Sequence, residues 1–142
     1  MLLTNHTLTG IALGLTIDDV VVLAPAAVAS HYLLDSVPHF GAEKLNFLQP
    51  VGRIFAFFDC LAALSVAVAS VIIWPHRFAQ LFIGVLGATL PDLHYVPYYV
   101  LKKRFWQPML DFHHVIQTER WYLFPVEIIW ALTMLTVVKV YL

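Results

Sequence analysis

The apolar residues of this chain are gathered into five long runs, approximately 2–17, 20–37, 54–74, 78–101 and 121–142, which take up most of its 142 residues. A helix rising 1.5 Å per residue needs about 20 mainly apolar residues to cross the hydrocarbon of a bilayer. The pattern therefore predicts an all-α polytopic membrane protein with about five transmembrane helices in one bundle. Residues 1–142 form a single integral-membrane domain in this reading. Composition agrees, since 61% of the residues are apolar and 12% charged, against roughly 45–50% and 25% in soluble domains. A net charge of -1 and the lack of a basic tract with interleaved aromatics disfavour nucleic acid as a partner. The single cysteine, Cys60, cannot form a disulfide within the chain.

Asp18 and Asp19 end the first run, and Pro75-His76-Arg77 turns the third into the fourth, which Pro91 and Pro97 interrupt. Two connections are longer than turns, 38–53 and 102–120. Ala27-Val28-Ala29 resembles a signal-peptide cleavage site, but no Lys or Arg precedes the first run and the two aspartates split it, so a helical hairpin fits better. With five spans, the amino-terminal side carries Lys44, Arg53, Lys102, Lys103, Arg104 and Arg120, and the other side only Arg77 and Lys139. The positive-inside rule then predicts a cytoplasmic amino terminus. Trp106, Trp121 and Tyr122 at one boundary and Trp74 at the other stand where an aromatic belt would be.

The ionisable residues in or beside the spans fall at similar depth. His6 is near the start of the first helix, His31 and Asp35 are in the last turns of the second with His39 just beyond, and Asp59 is early in the third. Asp92 and His94 lie late in the fourth, His113 and His114 in the connection after it, and Glu127 early in the fifth. All lie on the predicted cytoplasmic side of the midplane. An acidic side chain deep in a span costs about 2.5–3.5 kcal/mol, so four carboxylates on four helices need positive partners. Protonated histidines or the nearby Arg53 and Lys102–Arg104 would serve in part; a divalent cation accepts carboxylates and neutral imidazoles together.

His31 and Asp35 are four residues apart and share a helix face. His6, His31, Asp35, His39, Asp59 and Asp92 are the candidate metal ligands. His39 follows Pro38 and so lies beyond the helix, where a ligand or a solvated interface residue fits equally. His94 points away from Asp92 unless the flanking prolines unwind the segment. His113, His114 and Glu127 are the candidate catalytic residues; of the two histidines only one faces the site, and Glu127 has Arg120 or Arg104 as its other partner. Asp18, Asp19 and His76 read as loop residues at the opposite face. Gly10 with Gly14, and Gly84 with Ala88, are spaced to let helices approach closely. The endings Leu34-Asp35-Ser36-Val37-Pro38 and Pro91-Asp92-Leu93-His94-Tyr95-Val96-Pro97 echo one another, and both a duplicated hairpin and coincidence in an apolar sequence account for them.

These segments resemble the small bacterial inner-membrane proteins described as membrane-bound metal-dependent hydrolases, the YdjM-like family, together with related small uncharacterised bacterial membrane proteins. His6-Thr7-Leu8-Thr9-Gly10 is similar to the family's opening H-x-x-x-G helix, and Ser30-His31-Tyr32-Leu33-Leu34-Asp35 to its S-H-x-L-L-D motif. Leu90-Pro91-Asp92-Leu93 is similar to L-P-D-x-D, and Phe112-His113-His114-Val115-Ile116-Gln117 to its histidine-containing loop. Two features depart from the pattern: the P-D and S-H-x-L-L-D motifs occur in reversed order, and His94 replaces the second aspartate.

The leading expectation is a membrane-embedded hydrolase with a mono- or dinuclear divalent site of zinc, manganese or iron near the cytoplasmic leaflet. Membrane lipid is the expected surrounding, and a lipid-linked phosphoester or ester the expected substrate. A proton-coupled or ion transporter could use the same groups as a relay, but the far half of each helix offers few polar residues to continue it. Histidines on separate helices could ligate haem, for which four nearby acids are a poor environment. A non-enzymatic assembly protein with a structural polar cluster is the remaining alternative.

Overall fold

The computed structural model describes residues 1–41, 50–94 and 107–142. Lys44, Pro97, Lys102, Lys103, Arg104 and Trp106 lie outside the described residues, as does the side chain of His94. The architecture is all-helical, with α1 Leu3–Thr16, α2 Val20–Ser36, α3 Pro50–Ile73, α4 Phe78–Thr89, α5 Gln107–Ile116 and α6 Phe124–Lys139. Short 3-10 turns at Pro75–Arg77, Leu90–His94 and Trp121–Leu123 join or extend them. Between His39 and Glu119 there is one isolated parallel bridge.

Local chemistry sets the helix ends. Asp19 caps α2 by accepting from the Val21 amide at 2.8 Å, satisfying one of the four N–H groups that a helix start leaves without an internal partner. Asp18 forms an ion pair with Arg77 at the same end of the bundle. Pro50 opens α3, and Pro125 lies in the first turn of α6, where the missing N–H is harmless. The fourth apolar run does not continue as an α-helix beyond Thr89: Pro91 lacks the ladder N–H, and the chain tightens into a 3-10 turn. The connection after residue 101 contains α5, a ten-residue helix that the sequence pattern did not single out.

The interior mixes apolar residues with an unusual share of polar ones. α1 packs against α2, α3, α4 and α6 and is buried from Asn5 to Ala12, although four of those residues are Asn5, His6, Thr7 and Thr9. The long apolar helices α3 and α6 keep much of their surface outside, with Phe57, Phe58, Leu61, Leu64 and Ile72 of α3 and Ile129 and Leu132 of α6 exposed. α3 and the stretch Trp121–Lys139 are each long and apolar enough to cross a membrane, and only 11% and 6% of their most apolar windows are buried. Both stretches are thus mostly exposed, unlike the core helix of a soluble protein that passes the same length test. α1, with 14 residues, spans about 21 Å, short of the roughly 30 Å hydrocarbon core.

The centre depends on a close crossing of α1 and α4. A Cβ at Gly10 would lie 2.5 Å from the Gly84 carbonyl oxygen, and one at Gly84 would collide with the Gly10 carbonyl. Beside this crossing, Ile11, Leu15, Trp74 and Leu81 form a small core. Trp74, expected in an interfacial belt, is instead buried, with its indole N–H on the Tyr141 carbonyl at 3.0 Å. Trp121 and Tyr122 are exposed. The start of α1 and the ends of α2 and α4 meet α5 and the start of α6 at one end of the bundle.

Candidate metal centre

The centre begins with the last turns of α2. His31 and Asp35 stand one turn apart on the same face, with Nε2 3.2 Å from Oδ2. Across the bundle, α4 ends at Thr89, and carbonyls in a helix's last turn lack intrahelical donors. His31 Nδ1–H fills that need by donating to the Ala88 carbonyl at 2.8 Å. A neutral His31 therefore turns the Nε2 lone pair inward, the orientation that a backbone carbonyl commonly imposes on a metal-ligating histidine.

Three further groups converge on that nitrogen. α5 brings His113, whose Nε2 lies 3.4 Å from His31 Nε2 and donates to Asp35 Oδ2 at 2.6 Å. The 3-10 turn after α4 brings Asp92 Oδ1 to 3.6 Å from His31 Nε2 and 3.8 Å from His113 Nε2. One ligand atom from each of His31, Asp35, Asp92 and His113 lies within 4.8 Å of every other. Four atoms held 2.0–2.1 Å from a common tetrahedral centre lie about 3.3 Å apart. Five of the six separations, 2.6, 3.2, 3.4, 3.6 and 3.8 Å, bracket that figure, and the 2.6 Å hydrogen bond would open on binding. His31, Asp35 and His113 are fully buried, whereas the Asp92 side chain keeps 26% exposure and marks the open side.

Asp35 is the hub. Besides His31 and His113 it faces His6 Nε2 at 3.2 Å through Oδ1, and it accepts from Gln117 Nε2 at 3.2 Å and from the Met1 nitrogen at 2.6 Å. The His6 ring stacks on His31, centroids 4.2 Å apart and planes at 23°.

The structure gives the other two carboxylates a different task. Asp59 reaches from α3 to the first turn of α1, accepting from the Leu3 and Thr4 amides at 2.8 and 3.1 Å and from the Thr4 hydroxyl at 2.6 Å. Glu127 accepts from Asn5 Nδ2 at 2.6 Å, the Leu2 amide at 3.1 Å and the Phe40 amide at 3.2 Å. Both place negative charge at a helix N-terminus, where orphan N–H groups and the dipole favour it. They therefore brace α1, which carries His6. Neither is in the four-residue group, and among the described residues Glu127 takes Asn5 and two amides; Arg104, one of the two arginines weighed as its partner, lies outside them.

His39 is buried, and its Nδ1–H donates to the Val37 carbonyl at 2.7 Å. Its backbone bonds Thr118 and Arg120, tying the end of α2 to the segment after α5. Burial, with help from the nearby Met1 ammonium, pushes the His39 pKa down to about 4. His114 is exposed on α5 beside the buried His113. Sequence reasoning missed Gln117 and Asn5 as members of this network. For Gln117 the signals were its place at the end of the Phe112–Gln117 motif and its spacing, one helical turn from His113, whose carbonyl its backbone amide bonds at 3.2 Å.

No protein-family model, curated protein or solved structure matches this chain.

Proposed function

We propose that this chain is a membrane-embedded, metal-dependent hydrolase, and that His31, Asp35, Asp92 and His113 hold one divalent ion of zinc, manganese or iron. In this reading α1, α2 and α4 complete a five-span bundle with α3 and α6. The amino terminus is cytoplasmic, and the centre lies near the cytoplasmic leaflet of a bacterial inner membrane. The resemblance to the YdjM-like family supplies the hydrolase class and the setting. The observation that carries the metal reading is the convergence of four donor atoms within 4.8 Å of one another, with the His31 Nδ1–H held by the Ala88 carbonyl.

When bound, such an ion lowers the pKa of a coordinated water and polarises a phosphoryl or acyl oxygen. The chain's own residues supply the rest. Gln117 holds Asp35 Oδ2 in place, and the burial of three of the four donors keeps bulk water from all but the Asp92 side. His113 serves as a ligand in this arrangement, which leaves exposed His114 as the candidate proton donor. Depth near a membrane face favours a lipid-linked phosphoester or ester as substrate.

The test is hydrolysis of lipid-linked phosphoesters and esters in mixed micelles after chelation and after metal return. Activity that falls with chelation, recovers with the ion and drops to background in His31→Ala supports the reading. Turnover indifferent to chelation and to His31→Ala, or no turnover of either class by metal-loaded protein, overturns it.

A second reading, a non-enzymatic assembly protein, draws on the use of Asp59 and Glu127 as braces between helices. Metal binding without turnover in the same assay would favour it.

A further inference from the structure

The two oxygens of Asp35 face different partners, and this bears on how many ions the centre takes, given the metal reading above. Oδ2 meets His31 Nε2, His113 Nε2 and Gln117 Nε2 at 3.2, 2.6 and 3.2 Å. Oδ1 meets His6 Nε2 at 3.2 Å and the Met1 nitrogen at 2.6 Å. A carboxylate whose oxygens are directed at separate sets of nitrogen donors is disposed to bridge two cations.

His6 provides an independent observation. It is fully buried, and its Nδ1 has no hydrogen-bond partner. A neutral imidazole carries one N–H. With the proton on Nε2, Asp35 is served and Nδ1 keeps a bare lone pair in the interior; with it on Nδ1, a lone pair on Nε2 confronts the carboxylate. A cation between His6 Nε2 and Asp35 Oδ1 removes the repulsion of that second arrangement, because both atoms become its donors, and leaves the Nδ1–H facing the interior. The stacking adds a length. His6 and His31 are 4.2 Å apart as nearly parallel rings, each with Nε2 near a different oxygen of Asp35. Paired ions in two-metal hydrolytic sites lie about 3.5–4 Å apart.

We propose that Asp35 bridges two divalent cations, the first on His31, Asp92 and His113 and the second on His6 Nε2 and Asp35 Oδ1, where the Met1 nitrogen now donates. The donors are nitrogen and oxygen, which suits manganese, iron or zinc. A pair of ions at this spacing suits the attacking and leaving oxygens of a phosphoester, the substrate class we take the pairing to serve.

The experiment uses the full chain in detergent, loaded with Mn²⁺, with metal counted by elemental analysis and spin coupling read by electron paramagnetic resonance. Two Mn²⁺ per chain with an exchange-coupled signal are expected, and His6→Ala should retain one Mn²⁺ with an isolated six-line signal. One Mn²⁺ with the six-line signal in the wild type overturns the second ion while leaving the four-residue site intact. No bound Mn²⁺ overturns both. Two uncoupled ions overturn the bridge, and two coupled ions in folded His6→Ala overturn the role of His6. If His6→Ala fails to fold, the count and the wild-type signal decide alone.

Discussion

His31 Nδ1 donates to the Ala88 carbonyl at 2.8 Å, so one hydrogen bond between the end of α4 and the end of α2 determines which nitrogen of His31 faces Asp35, Asp92 and His113. The centre thus depends on how α2 and α4 sit relative to each other and to α1. Stability and metal binding should respond separately to substitutions that move the helices and to those that remove donors.

The α1–α4 crossing is the tightest such dependency. A Cβ at Gly10 would meet the Gly84 carbonyl at 2.5 Å, and backbone cannot rotate away as a flexible side chain could. Gly10→Val should lower stability by about 1–3 kcal/mol, the usual cost of overpacking, read from reversible unfolding in mixed micelles. An unchanged midpoint would show that the helices do not approach this closely.

Asp59 and Glu127 should separate from the metal ligands in the same assay. Removing a carboxylate that satisfies several N–H groups costs about 1–3 kcal/mol, so Asp59→Ala and Glu127→Ala should each unfold more readily. Their metal content, measured on the folded fraction, should equal that of the wild type. Loss of metal from either folded variant would place that carboxylate in the centre.

His39 gives the pH dependence a sign. Its folded pKa is pushed down to about 4 from an ordinary 6.5, so the unfolded chain takes up a proton first as pH falls. The stability that neutral His39 contributes is complete above about pH 6.5 and is lost progressively toward pH 4. In thermal unfolding across that range, His39→Asn should show a shallower loss than the wild type. Parallel curves would remove His39 as a contributor.

Depth along the chain was legible in the sequence, whereas direction around each helix was only partly so. His31 and Asp35 could be paired because a spacing of four defines one face without knowledge of the neighbours. Asp59 and Glu127 have the right depth, but their targets are the amides at the start of α1, and no spacing within α3 or α6 reveals that. The limits 2–17 and 20–37 came within a residue of α1 and α2 because Asp18 and Asp19 punctuate them. α5 escaped because it is a single short helix with one apolar face, and its His113 is buried while neighbouring His114 is exposed. The central place of α1, whose first turns bury Asn5, His6, Thr7 and Thr9, follows from packing that composition alone does not specify.

The central claim is that His31, Asp35, Asp92 and His113 bind a divalent ion. Elemental analysis of the detergent-purified chain beside the double variant His31→Ala, Asp35→Ala, both checked for helical content, tests it most directly. The account predicts at least one stoichiometric zinc, manganese or iron per wild-type chain and a loss of bound metal in the variant. Folded wild-type protein with no stoichiometric divalent metal after loading, or metal retained in full by the variant, would contradict it.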